Sequence, residues 1–316
     1  MQNTQTIIEY LRQNSINSLF SLGSFSAVWE VWRAEIKKIA NKPTERQILS
    51  LGDCLYDIFH STNSNGRGQS DVSSGGAAWE ALICWYLNLC LIGRRTVVTK
   101  HNKQLLPTPI AHAITVNYDN FTSNTESDLI AVTFPDKQHY AVDKFDVSVK
   151  DTGDTIVPIS TKRGAYNLLP LLNALTDKDF TELEIHIIQC KTNWNDNAQI
   201  PMLWDMVYSA SAFRKGITIG KNGYSIKDIV RFSYSFVTVP TVKLDKIRST
   251  SVAVQRVRNL SGGNYWGRPS QSGVAKSLQE LLVTSLATGH EKRHLDTIKT
   301  AIFKLKTDHS YFRLEV

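Results

Sequence analysis

The sequence predicts an α/β protein: a mixed central β-sheet flanked by helices, with a helical N-terminal lobe. Three observations carry that prediction. Apolar residues recur at helical spacing through residue 93, strand-like periods follow from Arg95 to about Ser160, and helical and strand-like stretches then alternate. No internal repeat and no flexible linker divides the 316 residues, a length sufficient to bury a full core.

Trp29, Trp32, Ile36 and Ile39 recur at helical spacing. Thr44-Glu45-Arg46-Gln47, directly after Pro43, reads as a capping box opening a helix through Phe59. Residues 61–70 are small, polar and glycine-containing with no apolar anchor, which predicts a mobile loop. A third helix follows Ser73-Ser74-Gly75-Gly76, buries a wide face through Trp79, Leu82, Ile83, Tyr86, Leu87 and Cys90, and ends at Gly93. Strands are expected at 96–99, 113–116, 129–134 and 140–149. A helix over 168–175 leads to a strand over 184–191, and Pro201 opens a helix bearing Met202, Trp204, Asp205 and Tyr208. Residues 231–239 alternate apolar and polar as a strand does. After Gly273 the chain returns to helix, with Leu278, Leu281, Leu282 and Leu286 at helical spacing.

The net charge of +7 favours a polyanionic partner. Cys54, Cys84, Cys90 and Cys190 form no CxxC pair and no zinc spacing, and all lie in apolar stretches, as buried reduced thiols of a cytosolic protein do. The N-terminus carries no secretory pattern and no apolar run approaches a membrane span, so a cytoplasmic protein without membrane contact is expected. There is no Walker A sequence, no G-x-G-x-x-G and no nucleophile-elbow triad, which argues against nucleotide-driven, dinucleotide and triad chemistry.

The stretch that carries chemistry is Glu184-Ile185-His186-Ile187-Ile188-Gln189-Cys190-Lys191. Strand side chains alternate faces, so Gln189 and Lys191 share one side, while Glu184 and His186 fall on the other. Upstream, Asp128 opens a second apolar strand, Leu129-Ile130-Ala131-Val132. An acid on one strand and (Asp/Glu/Gln)-x-Lys on its neighbour resembles the active-site pattern of the PD-(D/E)XK nucleases, the fold of most type II restriction endonucleases. Here Gln stands where the second acid is usual.

That resemblance covers about residues 76–215 and implies a restriction-endonuclease-like fold with Mg2+ as cofactor. It makes Asp128 the main metal ligand, Gln189 a neutral amide-oxygen ligand and Lys191 the cation that orients water and offsets phosphate charge. A neutral ligand weakens metal binding, so a second carboxylate is expected. Glu80, on the preceding helix, takes that role by the resemblance; Glu126 rivals Asp128 with the same strand parity, and Glu126, Asp143 and Asp146 stay open as replacements for Glu80 or Asp128. Asp143 and Asp146, three residues apart, would face opposite ways on an unbroken strand. The plain alternatives stay open: Gln189 and Lys191 as a solvated strand end, Asp128 as a turn cap, Glu80 on a solvent face.

One domain is then expected: 1–75 as helical lobe and mobile loop, 76–215 as catalytic core, and 216–316 supplying DNA-recognition and dimer elements. The implied activity is sequence-specific cleavage of double-stranded DNA by a homodimer, partnered in the cell by a cognate DNA methyltransferase. The alternatives are a less specific repair or phage-defence nuclease and a catalytically silent DNA-binding module. Candidate DNA contacts are Arg67, the amides Asn193, Asn195 and Asn197, and Tyr265 and Arg268 in a glycine-hinged loop over 261–270. Arg256, Arg258, Lys292 and Arg293 are further candidates for phosphate neutralisation.

Overall fold

A computed structural model describes residues 4–41, 43–62, 71–119, 121–123, 127–194, 196–210, 216–240, 244–286 and 294–314. Its helices are α1 (Ile7–Phe20), α2 (Gly23–Ile39), α3 (Glu45–Ser50), α4 (Leu55–His60), α5 (Asp71–Cys90), α6 (Thr108–Ala113), α7 (Gln138–Ala141), α8 (Leu168–Lys178), α9 (Gln199–Ser209), α10 (Val252–Val257), α11 (Leu278–Thr284) and α12 (His294–Ile302). Its strands are β1 (Thr96–Lys100), β2 (Val116–Tyr118), β3 (Phe121–Ser123), β4 (Leu129–Thr133), β5 (Glu184–Lys191), β6 (Ile217–Ile219), β7 (Arg231–Thr238), β8 (Gly263–Trp266) and β9 (Lys276–Ser277).

The fold is mixed α/β, as the sequence predicts. Six strands form the central sheet in the order β1-β4-β5-β7-β8-β9. β1, β4 and β5 pair antiparallel, whereas β5–β7, β7–β8 and β8–β9 pair parallel. Parallel neighbours need a crossover, and the chain supplies α9 with β6 between β5 and β7 and α10 between β7 and β8. Both faces of the sheet are covered. Leu129, Ala131, Ile188, Cys190 and Val237 join the core that holds α5, while Ile130, Val132, Ile185, Ile187 and Tyr234 join the core that holds α8. Double coverage explains why 184–190 is buried throughout and reads as one apolar run. A second sheet, β3-β2-β6, sits aside.

In the N-terminal lobe the Thr44 hydroxyl accepts the Gln47 N–H and the Gln47 side chain accepts the Thr44 N–H, closing the capping box. The helix it opens is interrupted by a 3-10 turn over Leu51–Asp53 before α4 resumes. α5 buries Trp79, Leu82, Ile83, Trp85 and Tyr86 fully, and the Trp85 indole donates to the Phe312 carbonyl at 3.0 Å, tying the 3-10 turn over Ser310–Phe312 to α5. Among the described residues no helix is long and apolar enough to cross a membrane.

Four local expectations are corrected. The strand expected at 113–116 is the end of α6 followed by β2. Residues 140–149 are not a strand but α7 and a 3-10 turn over Lys144–Asp146. There Asp143 accepts the Phe145 N–H at 2.9 Å and the Gln5 N–H at 2.9 Å, turning the chain onto the N-terminus. α9 begins at Gln199, so Pro201 sits within its first turn, where no intrahelical donor is lost. The loop expected over 261–270 contains β8. Gly262 makes that possible: a Cβ there would lie 2.5 Å from the Ser235 hydroxyl oxygen and 2.5 Å from the His186 ring. The expected loop over 61–70, with Arg67, falls largely outside the described residues, as do Asn195, Glu126, Lys292 and Arg293.

Candidate functional site

Register brings the singled-out residues to one end of the central sheet. β4 runs antiparallel to β1 and β5, with Leu129 opposite both Lys100 and Ile188. The residue before Leu129 therefore meets the last residues of both neighbours. Asp128 Oδ2 accepts the Cys190 N–H at 2.7 Å and lies 3.5 Å from Lys191 Nζ. The carboxylate thus extends the β4–β5 ladder by one bond and also meets the lysine. The long stretch between Asp128 and Gln189 does not separate the strands; it leaves the sheet as α7 and α8 and returns beside β4.

Glu80 arrives from α5. Its Oε2 lies 2.6 Å from Nζ of Lys100, the last residue of β1. The four groups Glu80, Lys100, Asp128 and Lys191 act on one another electrostatically: Lys191 and Asp128 both influence Glu80, and Lys100 influences Asp128. Burial raises the Glu80 carboxyl above its ordinary range, although Lys100 opposes the shift. Burial raises Asp128 likewise, against the pull of Lys191 and of the Cys190 N–H. Both acids are therefore under-compensated: two lysines do not repay the loss of water. Beside them, His101 Nδ1 and Ser127 Oγ lie 3.3 Å apart. Cys190 is buried between these charges, and its thiol is pushed well up by burial and by Asp128 and Glu80, which makes it a poor nucleophile.

Gln189 has another attachment. It is fully buried, and its Oε1 accepts the Tyr234 hydroxyl from β7 at 2.9 Å. A metal at that oxygen would have to share or displace the tyrosine. Asp143 is engaged by Gln5 and Phe145, and exposed Asp146 lies in the same 3-10 turn.

Lys100 escaped sequence reading because the strand was expected to end at Thr99. The available signal was a basic residue closing an apolar strand two positions after Val98.

The DNA-contact candidates scatter. Asn197 Nδ2 reaches the Asn193 carbonyl at 3.5 Å, and Trp194, next to Asn193, is buried. Tyr265 belongs to the core: it is buried, and its hydroxyl meets the Gly262 carbonyl at 3.0 Å and Thr284 Oγ1 at 2.6 Å. Its ring offers no surface to a nucleic acid, because β8 places it inside the sheet. Arg268 stacks 4.5 Å over the Tyr56 ring, with Asp57 at 3.9 Å.

Among the described residues no three His, Cys, Asp or Glu side chains gather as a metal cage. Magnesium does not require one, since it is commonly held by one or two carboxylates together with waters and substrate phosphates. Glu80 and Asp128 fit that need: both are hard oxygen donors, and the burial that raises their pKa values is what a cation would relieve. No protein-family model matches this chain, and no curated protein matches it.

Proposed function

We propose that the protein is a magnesium-dependent, sequence-specific endonuclease of double-stranded DNA, with the restriction-endonuclease-like fold and type II restriction chemistry. The observation that carries this reading is the meeting of Asp128 and Lys191 at 3.5 Å at the ends of adjacent strands, with Glu80 within electrostatic reach. Glu80 and Asp128 would hold the magnesium. When bound, the metal supplies a lowered water pKa and a polarised phosphoryl oxygen.

The chain's own groups do the rest. Lys191 Nζ, beside Asp128, places positive charge where the attacked phosphate gathers negative charge, and orients water through its N–H groups. The Cys190 N–H fixes the Asp128 carboxylate through Oδ2. Gln189 enters as a brace from β5 to Tyr234 rather than as a ligand. The net charge of +7 supports a phosphate-rich substrate, and a two-fold homodimer would present two such sites to the two strands. A cognate methyltransferase would protect the host sequence.

The tie between Gln189 and Tyr234 favours one alternative, a DNA-binding module without catalysis. Digestion of a defined plasmid with magnesium, against a chelator control, separates these readings. Discrete fragments that need metal support the restriction enzyme. A metal-dependent smear supports a repair or defence nuclease of weak specificity. A gel shift without cleavage supports the binding module and overturns the nuclease.

A further inference from the structure

The central sheet end contains two acids and two lysines, and their charges cancel. Lys100 grips Glu80 at 2.6 Å, closer than Lys191 approaches Asp128 at 3.5 Å. The Lys100 and Glu80 side chains keep 23% and 20% of their exposure, so the pair is shielded from full solvent screening yet remains in reach of a ligand. Lys100 is held in place by its strand: its backbone pairs with Leu129, next to Asp128, and its carbonyl accepts the Thr99 hydroxyl at 2.9 Å. The same ammonium acts electrostatically on Asp128.

We propose that Lys100 is an internal counter-ion that occupies the metal's carboxylate until phosphate arrives. The inference rests on the reading of Glu80 and Asp128 as the metal-holding pair. A divalent cation added to this neutral set would leave two positive charges uncompensated in a partly buried site. Two events remove the conflict: Lys100 releases Glu80, and an anionic phosphodiester enters to receive the freed ammonium. Metal binding is then coupled to nucleic-acid binding, weak without phosphate and strong with it. Lys191 stays with Asp128 and the scissile phosphate, so the two lysines have separate tasks. Lys100 is a positioning residue, acting on the metal through Glu80.

The test is calorimetric titration of Mn2+ into the full protein without DNA, with thermal unfolding as a second readout. Lys100→Met should bind Mn2+ at least about threefold more tightly than the wild type, the scale expected from removing one partly exposed ion pair. Its metal-free melting temperature should fall, and Mn2+ should raise it by more than in the wild type. Lys100→Arg, which keeps the cation, should match the wild type, and Lys100→Met/Glu80→Gln should lose the gain. Lys100→Gln carries the same comparison if the Met variant does not fold. Unchanged or weaker Mn2+ binding in Lys100→Met, beside measurable binding in the wild type, overturns the counter-ion role alone. No Mn2+ binding by any of these proteins, with or without a short DNA duplex, overturns the metal site itself and the proposal with it.

Discussion

Asp179, buried, and Asp128, partly buried, are both carboxylates beside a lysine, yet the protein holds one below its ordinary pKa and the other above it. The Asp179 side chain is closed to solvent at 1% exposure, against 13% for Asp128, but it lies under a thinner layer of protein, so burial costs it less. Burial pushes it up, but Lys137 Nζ on Oδ1 and His139 Nε2 on Oδ2, both at 2.6 Å, outweigh that cost. Each oxygen has a charged or polar partner, and the cluster braces α7 against the end of α8. At the sheet end the balance is reversed. The Cys190 N–H and Lys191 both meet Asp128 at Oδ2, Lys100 is the lysine in contact with Glu80, and burial wins for both acids. A satisfied cluster of charges stabilises a fold; an under-compensated one can exchange a lysine for a cation once a phosphate brings the balancing negative charge.

The contrast breaks first, and most visibly, in activity. Lys191→Ala should lose at least about two orders of magnitude in plasmid cleavage, about 3 kcal/mol of barrier, while DNA binding by gel shift is largely kept. Asp128→Ala should abolish metal-dependent cleavage without unfolding the protein, and Asp179→Ala should leave cleavage per folded molecule unchanged. Equal loss in Asp179→Ala would erase the distinction between the clusters.

Stability supplies the second difference. Asp179→Asn should lower unfolding free energy by about 1–3 kcal/mol at neutral pH, because two donors lose a charged acceptor. The sign follows from the depressed pKa: the stabilisation is present above the unfolded carboxyl pKa and is lost as pH falls through the folded one. Denaturant melts of wild type and variant should therefore converge in acid.

Gln189→Glu tests which face of the site matters. A carboxyl buried against Tyr234 should cost about 1–3 kcal/mol at neutral pH, recovered on acidification, as a raised folded pKa requires. The metal titration of cleavage should superimpose on the wild type. A shift to lower metal concentration would return Gln189 to the ligand set.

Asp128→Asn should give the smallest effect, a gain of up to about 1 kcal/mol at neutral pH. The raised pKa of Asp128 means its favourable contribution is full below the unfolded pKa and is lost as pH rises through the folded value, so the gain should vanish in acid.

Much of this was legible in the chain. The apolar run over 184–190, the acid before Leu129 and the helical face around Trp79 gave the sheet, the adjacent strands and the covering helix, because burial on both faces leaves a compositional trace. The capping box at Thr44 was legible because it is local. What escaped was non-local. The Gln189 partner, Tyr234, lies on another strand, and no spacing rule announces a hydrogen bond between parallel neighbours. Residues 140–149 have strand-like composition, but Asp143 bonds to Gln5, far away in sequence, and turns the chain instead. Tyr265 looked like a loop aromatic because glycines flank it, whereas those glycines admit a strand to the core. Lys100 was missed by one residue at a strand boundary.

The central claim is that the under-compensated carboxylates, and not the satisfied ones, bind the metal. Affinity cleavage with Fe2+ and ascorbate reads this directly, because a bound iron generates radicals that cut the polypeptide beside it. With a DNA duplex present, the fragments should map next to Glu80, Lys100, Asp128 and Cys190, excess Mg2+ should suppress them, and Asp128→Ala should remove them. Cuts clustering beside Lys137 and Asp179, or a pattern unchanged in Asp128→Ala, would contradict the account.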